Sequence, residues 1–566
     1  MKKENLKKLK QHFPLILVVI IALLVGLALV KPGYFSMHDD VQVMRLQQME
    51  KCFQDGQIPC RWVPDMGAGY GHPLFNYHPV FPYYLGMIFR FFGLSFINIA
   101  KILFWLTFLF SGVFIYLLVK DFYGKWAGLV ASSFYLFAPY HAVEIFVRGA
   151  LTEAWAVALF PLILWSVYKL IKTKKFFFFI LSLFSLTFLL LSHNVMSMLF
   201  TPIAFLWGLL WIARTKKWRQ IILLGVVFLW AIGLASFFVL PAFFEKSLVT
   251  LEQHTTGYYN FRHHFVTVKQ LFISRHWGYG PSKLGPDDDL SFQIGWPHWW
   301  ITIIALSIFL YGIWQKKKRL IWPMVFFLFL FAAAVFMTHA KSVYLWEAVP
   351  LVSFVQFPWR FLAIAMLASS FLAGVAVGFL KKEKKQIILS VILILLVIVL
   401  NFSYFHPQKF DERMTDQKKL SGGEWRRQSM TTLNDYVPKG VKEYPKELAP
   451  KEPQVVEGEA RVSEFRKRSN FWRFTIETIG EQPPTIEVPI FDFARWEVFA
   501  DLERVEHEIN PETGVIRVKV PMGKRTVTGW FRNTPLRKIA NGISLFSFAA
   551  LILLIVWQDK RGEKII

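Results

Sequence analysis

Three residues that could do chemistry follow the first apolar run directly: His38, Asp39 and Asp40, in YFSMHDDVQVMRLQQMEKCF. An acid at a membrane–water boundary is costly unless a partner or water meets it. Two adjacent acids there suggest a carboxylate poised as a base or as an ion ligand. Helix capping competes with that reading, because Asp before a helix is an ordinary N-cap, and spacing alone leaves both open. Val43, Leu46, Met49 and Phe53 then share one helical face, which suits a helix lying on the bilayer. Further on, GAGYGHPLFNYHP sets His72, Asn76, Tyr77 and His78 among turn-forming glycines. Those side chains offer the donors and stacking surfaces that sugars need, and a stiff packed loop is the competing reading. The stretch is no nucleotide fingerprint, since no strand–helix context surrounds it.

Downstream, YHAVEIFVRGALTEAW brings Glu144, Arg148 and Glu153 together with His141. Arg148 could bind a phosphate bidentately, or the acids and the arginine could merely hold helix ends together. His193 and Asn194 lie in the turn LLLSHNVMS, where polar residues also serve to stitch helices. FPWRFL places Arg360 at the start of a span, for snorkelling or for phosphate. Asp287, Asp288 and Asp289 form an acidic run that could hold a divalent cation or simply be solvated. The two cysteines, Cys52 and Cys60, fit a disulfide or two thiols equally well, and no Cys/His zinc spacing exists.

The elements that must position these residues are apolar helices. Of 566 residues, 54% are hydrophobic and 18% charged, with a mean hydropathy of +0.39. Soluble domains carry about 25% charged residues, so this chain is a membrane body. Apolar runs occur at 13–30, 97–119, 126–140, 151–168, 176–191, 195–213, 220–243, 296–314, 320–338, 361–380, 386–402 and 539–557. That predicts twelve spans, each needing about 17–25 residues. The run 79–93, with Pro82, Gly86 and Arg90, is predicted to be interfacial or re-entrant.

Net charge is +25, and its location decides what it means. With the N-terminus inside and sides alternating, the inside segments are 1–12, 120–125, 169–175, 214–219, 316–319, 381–385 and 558–566. They hold 26 Lys and Arg against 5 acids, so +21 of the +25 falls on one face. This is the positive-inside pattern; the basic balance reports topology and attraction to anionic lipid, not nucleic acid. The first run lacks a small-x-small cleavage site and reads as a retained helix. Alternation puts Asp39, Asp40, Glu144, Arg148, His193 and Arg360 on the same extracytoplasmic face, with both termini cytoplasmic.

The chain is expected to divide into a transmembrane domain at 1–402, an extracytoplasmic domain at 403–538 and a last helix with a tail at 539–566. Within the second, the part up to about 453 reads as irregular. Beyond it, runs such as FWRFTIET and GVIRVKV, separated by EQPP, NPETG and PMGK, predict a small β-sandwich.

An amphipathic first loop with an acid at its start, many spans and an outer soluble domain resemble the GT-C superfamily of polyprenyl-phosphate-sugar-dependent glycosyltransferases. More closely, HDD followed by DGQIPCRWVPDMGAGYGHPLFNYHPVFPYYLG, together with RGALTEAWAVALFPL, LSHN and QFPWRFL, resembles the bacterial membrane family labelled 6-pyruvoyl-tetrahydropterin synthase-related. Nothing here has a pterin synthase's metal site or length pattern. RNTPLRKIANGISLFS and the strands before it resemble YfhO-type membrane proteins. The resemblance implies a GT-C-like polytopic helical fold and an inverting transfer of sugar from a polyprenyl phosphate to a cell-envelope acceptor. It implies Asp39 as the base, with Asp40 the runner-up, and Glu144 or Glu153 as the second-loop acid. His38, His72, Asn76, Arg148, His193 and Arg360 would complete the substrate site. No resident metal is implied, and a divalent cation stays open. A transporter or flippase of lipid-linked sugars is the rival class, though transporters favour internal repeats and polar midplane helices. A non-catalytic envelope protein on the same fold is the third.

Overall fold

The computed structural model describes residues 2–251, 255–283, 285, 287–315 and 318–561. Each of the twelve apolar runs is helical. Among the described residues, nine helices are long and apolar enough to cross a membrane, and ten if one bent pair counts as a span. His12–Val25 and Phe176–Ser192 are shorter apolar helices. The run at 79–93 is the 11-residue helix Phe81–Phe91, too short to span.

One expectation needs correction. The run 126–140 is not a continuous helix: Lys125–Leu136 ends, and Pro139–Arg148 continues at a 47° bend. Pro139 has no N–H to give the Tyr135 carbonyl one turn back. His141 Nδ1 takes that carbonyl at 2.6 Å. His298 Nε2 serves Phe134 O at 2.8 Å, and Asn401 Nδ2 donates to Phe137 O at 2.9 Å. Broken backbone inside a membrane protein survives only where neighbours satisfy it in this way. The break turns the following residues, Glu144 and Arg148 among them, away from the helix axis.

The basic turns gather at one end of the helices. Lys125 pairs with Glu383 at 3.0 Å, Lys169 pairs with Asp121 at 2.8 Å, and Lys217 donates to Lys172 O at 3.3 Å. The expected basic segments 1–12, 316–319 and 558–566 lie in part outside the described residues.

At the other end sits a β-sandwich. Four antiparallel strands run in the order Gln454–Glu457, Thr485–Phe491, Val515–Lys519, His507–Ile509. Five run in the order Ala460–Lys467, Phe471–Thr478, Lys524–Phe531, Trp496–Ala500, Glu503–Val505. Alternation buries Trp472, Phe474 and Ile476 from one sheet against Ile486, Val488, Ile516 and Val518 from the other. The first loop enters this core: Trp62, Ala68 and Tyr77 belong to the same apolar cluster. Gly71 has φ +88°, and a Cβ there would meet the Trp62 ring at 2.5 Å, so GAGYG is a close-packed loop.

The segment 403–453, expected to be irregular, contains the helices Asp416–Lys419 and Gly422–Thr431. It also supplies Phe410–Asp411, which pairs with Tyr34–Phe35. Asp416 accepts the backbone N–H groups of Phe96 and Ile97 at 2.7 and 2.9 Å, capping a membrane helix from across the sequence. The segment's apolar side chains, among them Phe410, Leu420, Trp425 and Leu433, pack singly onto distant elements, so they leave no hydrophobic periodicity to read.

Candidate functional site

His38 and Asp39 lie along the end of the broken span. The His38 N–H donates to Val147 O at 3.0 Å and the Asp39 N–H to Arg148 O at 2.9 Å. Gly149 makes this approach fit, since a Cβ there would sit 2.2 Å from Met37 Sδ. The Asp39 carboxylate accepts from Arg45 NH1 and from Gln42 Nε2, both at 2.8 Å and both on Oδ2. Its side chain is 39% exposed, and among the described residues Oδ1 takes no hydrogen bond. The helix that follows, Gln42–Gln54, is capped by Val41 without a side-chain bond, so neither acid is an N-cap.

Asp40 faces elsewhere. Its Oδ2 meets Lys419 Nζ at 2.7 Å and Arg427 NH2 at 2.6 Å. Burial lifts its carboxyl above the usual carboxylate range, against the pull of those two cations. The two neighbours thus part company: Asp39 keeps a half-exposed carboxylate, and Asp40 ties the 416–427 helices to the first loop.

Beside Asp39 stands an ionic cluster. Arg148 pairs with Glu144, and its NH2 donates to Glu153 Oε2 at 2.9 Å. Arg360 Nε lies 3.4 Å from the same oxygen and His193 Nε2 lies 3.8 Å from it. Tyr140 donates to Glu153 Oε1 at 3.0 Å. The Arg148 guanidinium covers the Trp359 ring at 4.6 Å and that of Arg360 covers Phe357 at 5.1 Å. Burial, with help from Arg360 and Arg148, pushes the His193 imidazole down to about 3, so it meets Glu153 as a neutral ring. The buried guanidiniums of Arg148 and Arg360 are partnered by Glu144 and Glu153, which offsets part of the cost of burying them. The acids hold the two guanidiniums, and the backbone bond from Asp39 to Arg148 O places the carboxylate's residue against this cluster.

Residues 75–406 match the family described as 6-pyruvoyl-tetrahydropterin synthase related domain, a membrane protein family. The chain belongs to this family. The matched region carries Glu144, Arg148, Glu153, His193 and Arg360, while Asp39 and the β-sandwich lie outside it. An uncharacterised protein of Lactococcus lactis subsp. cremoris is 24% identical over 331 residues, covering 56% of this chain and 51% of that one. The chain therefore spans about half the length of that curated relative. Among solved structures, the oligosaccharyltransferase AglB of Archaeoglobus fulgidus, in complex with an inhibitory peptide and a dolichol-phosphate, is 13% identical with a TM-score of 0.41. That likeness covers 70% of this chain and 56% of the other. ArnT of Cupriavidus metallidurans, bound to undecaprenyl phosphate, is 13% identical with a TM-score of 0.38, over 67% and 62% of the two chains. Likeness at that level says nothing about activity.

Other residues singled out in the sequence fall elsewhere in this family member. His38 Nε2 contacts Tyr279 O at 2.7 Å, and burial lowers its pKa. His72 is fully buried with Nε2 on Asp435 O at 2.6 Å, and burial pushes it down to about 4. Asn76 is fully buried between Arg61 and Glu245. These last two were expected at the substrate; the structure gives them packing partners instead, because their loop is drawn into the β-domain core. Asp288 accepts from the Lys283 N–H and from Gln270 Nε2, each at 2.7 Å, and Asp289 pairs with Lys283. Among the described residues, no group of three His, Cys, Asp or Glu side chains is placed to hold a metal ion. Cys52 and Cys60 form a disulfide.

Sequence reasoning missed Arg45, Tyr259 and Tyr436. The charges of Asp39 and Arg360 both reach the Tyr259 and Tyr436 phenols, whose pKa values burial raises first. Arg45 was visible only as the polar position of an amphipathic helix.

Proposed function

We propose that this chain is an integral-membrane glycosyltransferase of the GT-C kind. It moves a sugar from a polyprenyl-phosphate-linked donor to a cell-envelope acceptor on the extracytoplasmic face. One observation carries the reading: a half-exposed carboxylate, Asp39, is hydrogen-bonded through its backbone to Arg148, which shares Glu153 with Arg360. A base beside two oriented guanidiniums at a membrane surface suits a lipid-phosphate leaving group.

In this reading an acceptor hydroxyl attacks the anomeric carbon while Asp39 Oδ1 takes its proton. The bond from that carbon to the phosphate oxygen breaks, and the polyprenyl phosphate departs with the electron pair. Arg148 and Arg360 meet the negative charge that develops on it. Glu144, Glu153 and neutral His193 hold the arginines in place, and attack opposite the leaving group inverts the anomeric centre. Asp39 then releases its proton to water. The basic turns at the far end of the helices support a cytoplasmic placement for that end. The Cys52–Cys60 disulfide supports an oxidising compartment for the end that carries Asp39.

The test is transfer itself: purified protein, radiolabelled polyprenyl-phosphate sugars and a membrane extract as acceptor. Label should move to the extract with wild-type protein and stay in the lipid with Arg360→Leu. Repeating the assay in EDTA measures what a divalent cation adds. Uptake of lipid-linked sugar into vesicles without any transfer would replace this reading with that of a flippase.

A further inference from the structure

The peptide at Gln356 has unusual backbone geometry. Gln356 lies at φ 66°, ψ −50°, and the Phe357 N–H donates to Val355 O at 2.7 Å. Together these define a γ-turn of the rare positive-φ kind, which an L-residue adopts only when its surroundings impose it. The consequence appears four residues on. Arg360 NH1 donates to Val355 O at 2.8 Å and to Gln356 Oε1 at 2.9 Å. The turn thereby points a backbone carbonyl and a side-chain amide at a single nitrogen, while Phe357 slides under the guanidinium at 5.1 Å. Both acceptors are neutral. A carboxylate at 356 would hold Arg360 as firmly but cancel its charge, and a relaxed turn would carry Val355 O away.

We infer that Gln356 is a positioning residue: its strained turn aims the NH1 end of the Arg360 guanidinium through neutral acceptors, adding no carboxylate beyond Glu153 on Nε, so that the group can still meet the phosphate of a polyprenyl-phosphate ligand. The inference rests on the proposed function, and its test separates the two. The full chain, purified with lipid, is titrated with a long-chain polyprenyl monophosphate, and transfer kinetics are run beside it. Gln356→Glu is nearly isosteric, so a purely structural role would leave binding unchanged. The expected result is a dissociation constant, and a KM for the lipid donor, raised by about tenfold, with kcat changed far less. Gln356→Gly accepts the positive φ freely and so folds at least as well, but loses the amide acceptor. Its expected weakening is a few-fold, with an unlowered thermal midpoint. Arg360→Leu is the reference for lost binding. Wild-type affinity in both Gln356 variants while Arg360→Leu loses the ligand overturns the inference and leaves the proposed function standing. Wild-type affinity in Arg360→Leu overturns both.

Discussion

Two buried arginine–carboxylate clusters of this molecule differ in what lies beside them: one adjoins a half-exposed carboxylate, and the other is closed over. In the first, Arg148 and Arg360 share Glu153 beside Asp39, whose side chain is 39% exposed. In the second, Arg61 donates to Asn76, to Asn541 and to the Phe237 carbonyl, and Arg537 donates to Glu245 at 2.7 Å. A proline lies in the chain near each cluster. Pro139 frees the Tyr135 carbonyl for His141, and Pro241 frees the Phe237 carbonyl for Arg61. Their fates differ by enclosure. Arg61, Asn76, Glu245 and Arg537 join the first loop, a membrane helix and the last helix, and are sealed by Phe493 and Phe531. Arg61 is pushed down to about 10 by burial and by Arg537. The same residue types thus build a staple in one place and a candidate site in the other, and access to Asp39 separates them.

The comparison can be broken most forcefully at the staple. Arg537→Leu leaves Glu245 buried without its cation, and should cost about 3–5 kcal/mol. The thermal midpoint in detergent reads this, while transfer per folded molecule stays near wild type. Arg360→Leu should do the reverse, lowering transfer by about 10²–10³-fold with a much smaller shift in midpoint, because Glu153 keeps Arg148 and Tyr140. If both variants lost stability alone, the two clusters would be one kind of object.

A third, smaller effect depends on pH. His72 is buried neutral, with a folded pKa of about 4 against an ordinary value of 6.5. Between those values the unfolded chain binds the proton and the folded one does not. The stability His72 contributes is therefore complete above pH 6.5 and is lost as pH falls towards 4, by about 3 kcal/mol at most. Unfolding midpoints across that window should fall with pH, and His72→Asn, which still offers a donor to Asp435 O, should flatten the slope. The smallest effect is expected of Asp40→Asn. It loosens the tie to Lys419 and Arg427, costs about 1–3 kcal/mol, and should leave transfer intact. Protease sensitivity of the 416–427 segment would read the loosening.

Much of this was legible in the sequence. Apolar runs marked every membrane helix, because each must bury or face lipid along its whole length. Alternating residues in FWRFTIET marked a strand. The motifs around Glu144, Arg148, Glu153, His193 and Arg360 pointed to one end of the bundle, and the structure brings them within a few ångströms. The break in the 126–140 run was harder to see, since the polar groups that make it tolerable, His298 and Asn401, come from far along the chain. His72 and Asn76 looked like ligands because the groups that take them up, the Asp435 carbonyl and Glu245, lie far along the chain. The helices of 403–453 left no periodic signal, as they are short and held by ion pairs and by a few apolar anchors such as Leu420 and Trp425. Adjacency could not separate Asp39 from Asp40; the structure pairs Asp40 with Lys419 and Arg427 and leaves Asp39 half exposed.

The most direct measurement is sugar transfer by Asp39→Asn beside Asp40→Asn, each checked for folding and for polyprenyl-phosphate binding. The expected result is a loss of about 10²–10⁴-fold in the first with binding and thermal midpoint preserved, and near-normal transfer in the second. Transfer by Asp39→Asn at the wild-type rate would contradict the central claim.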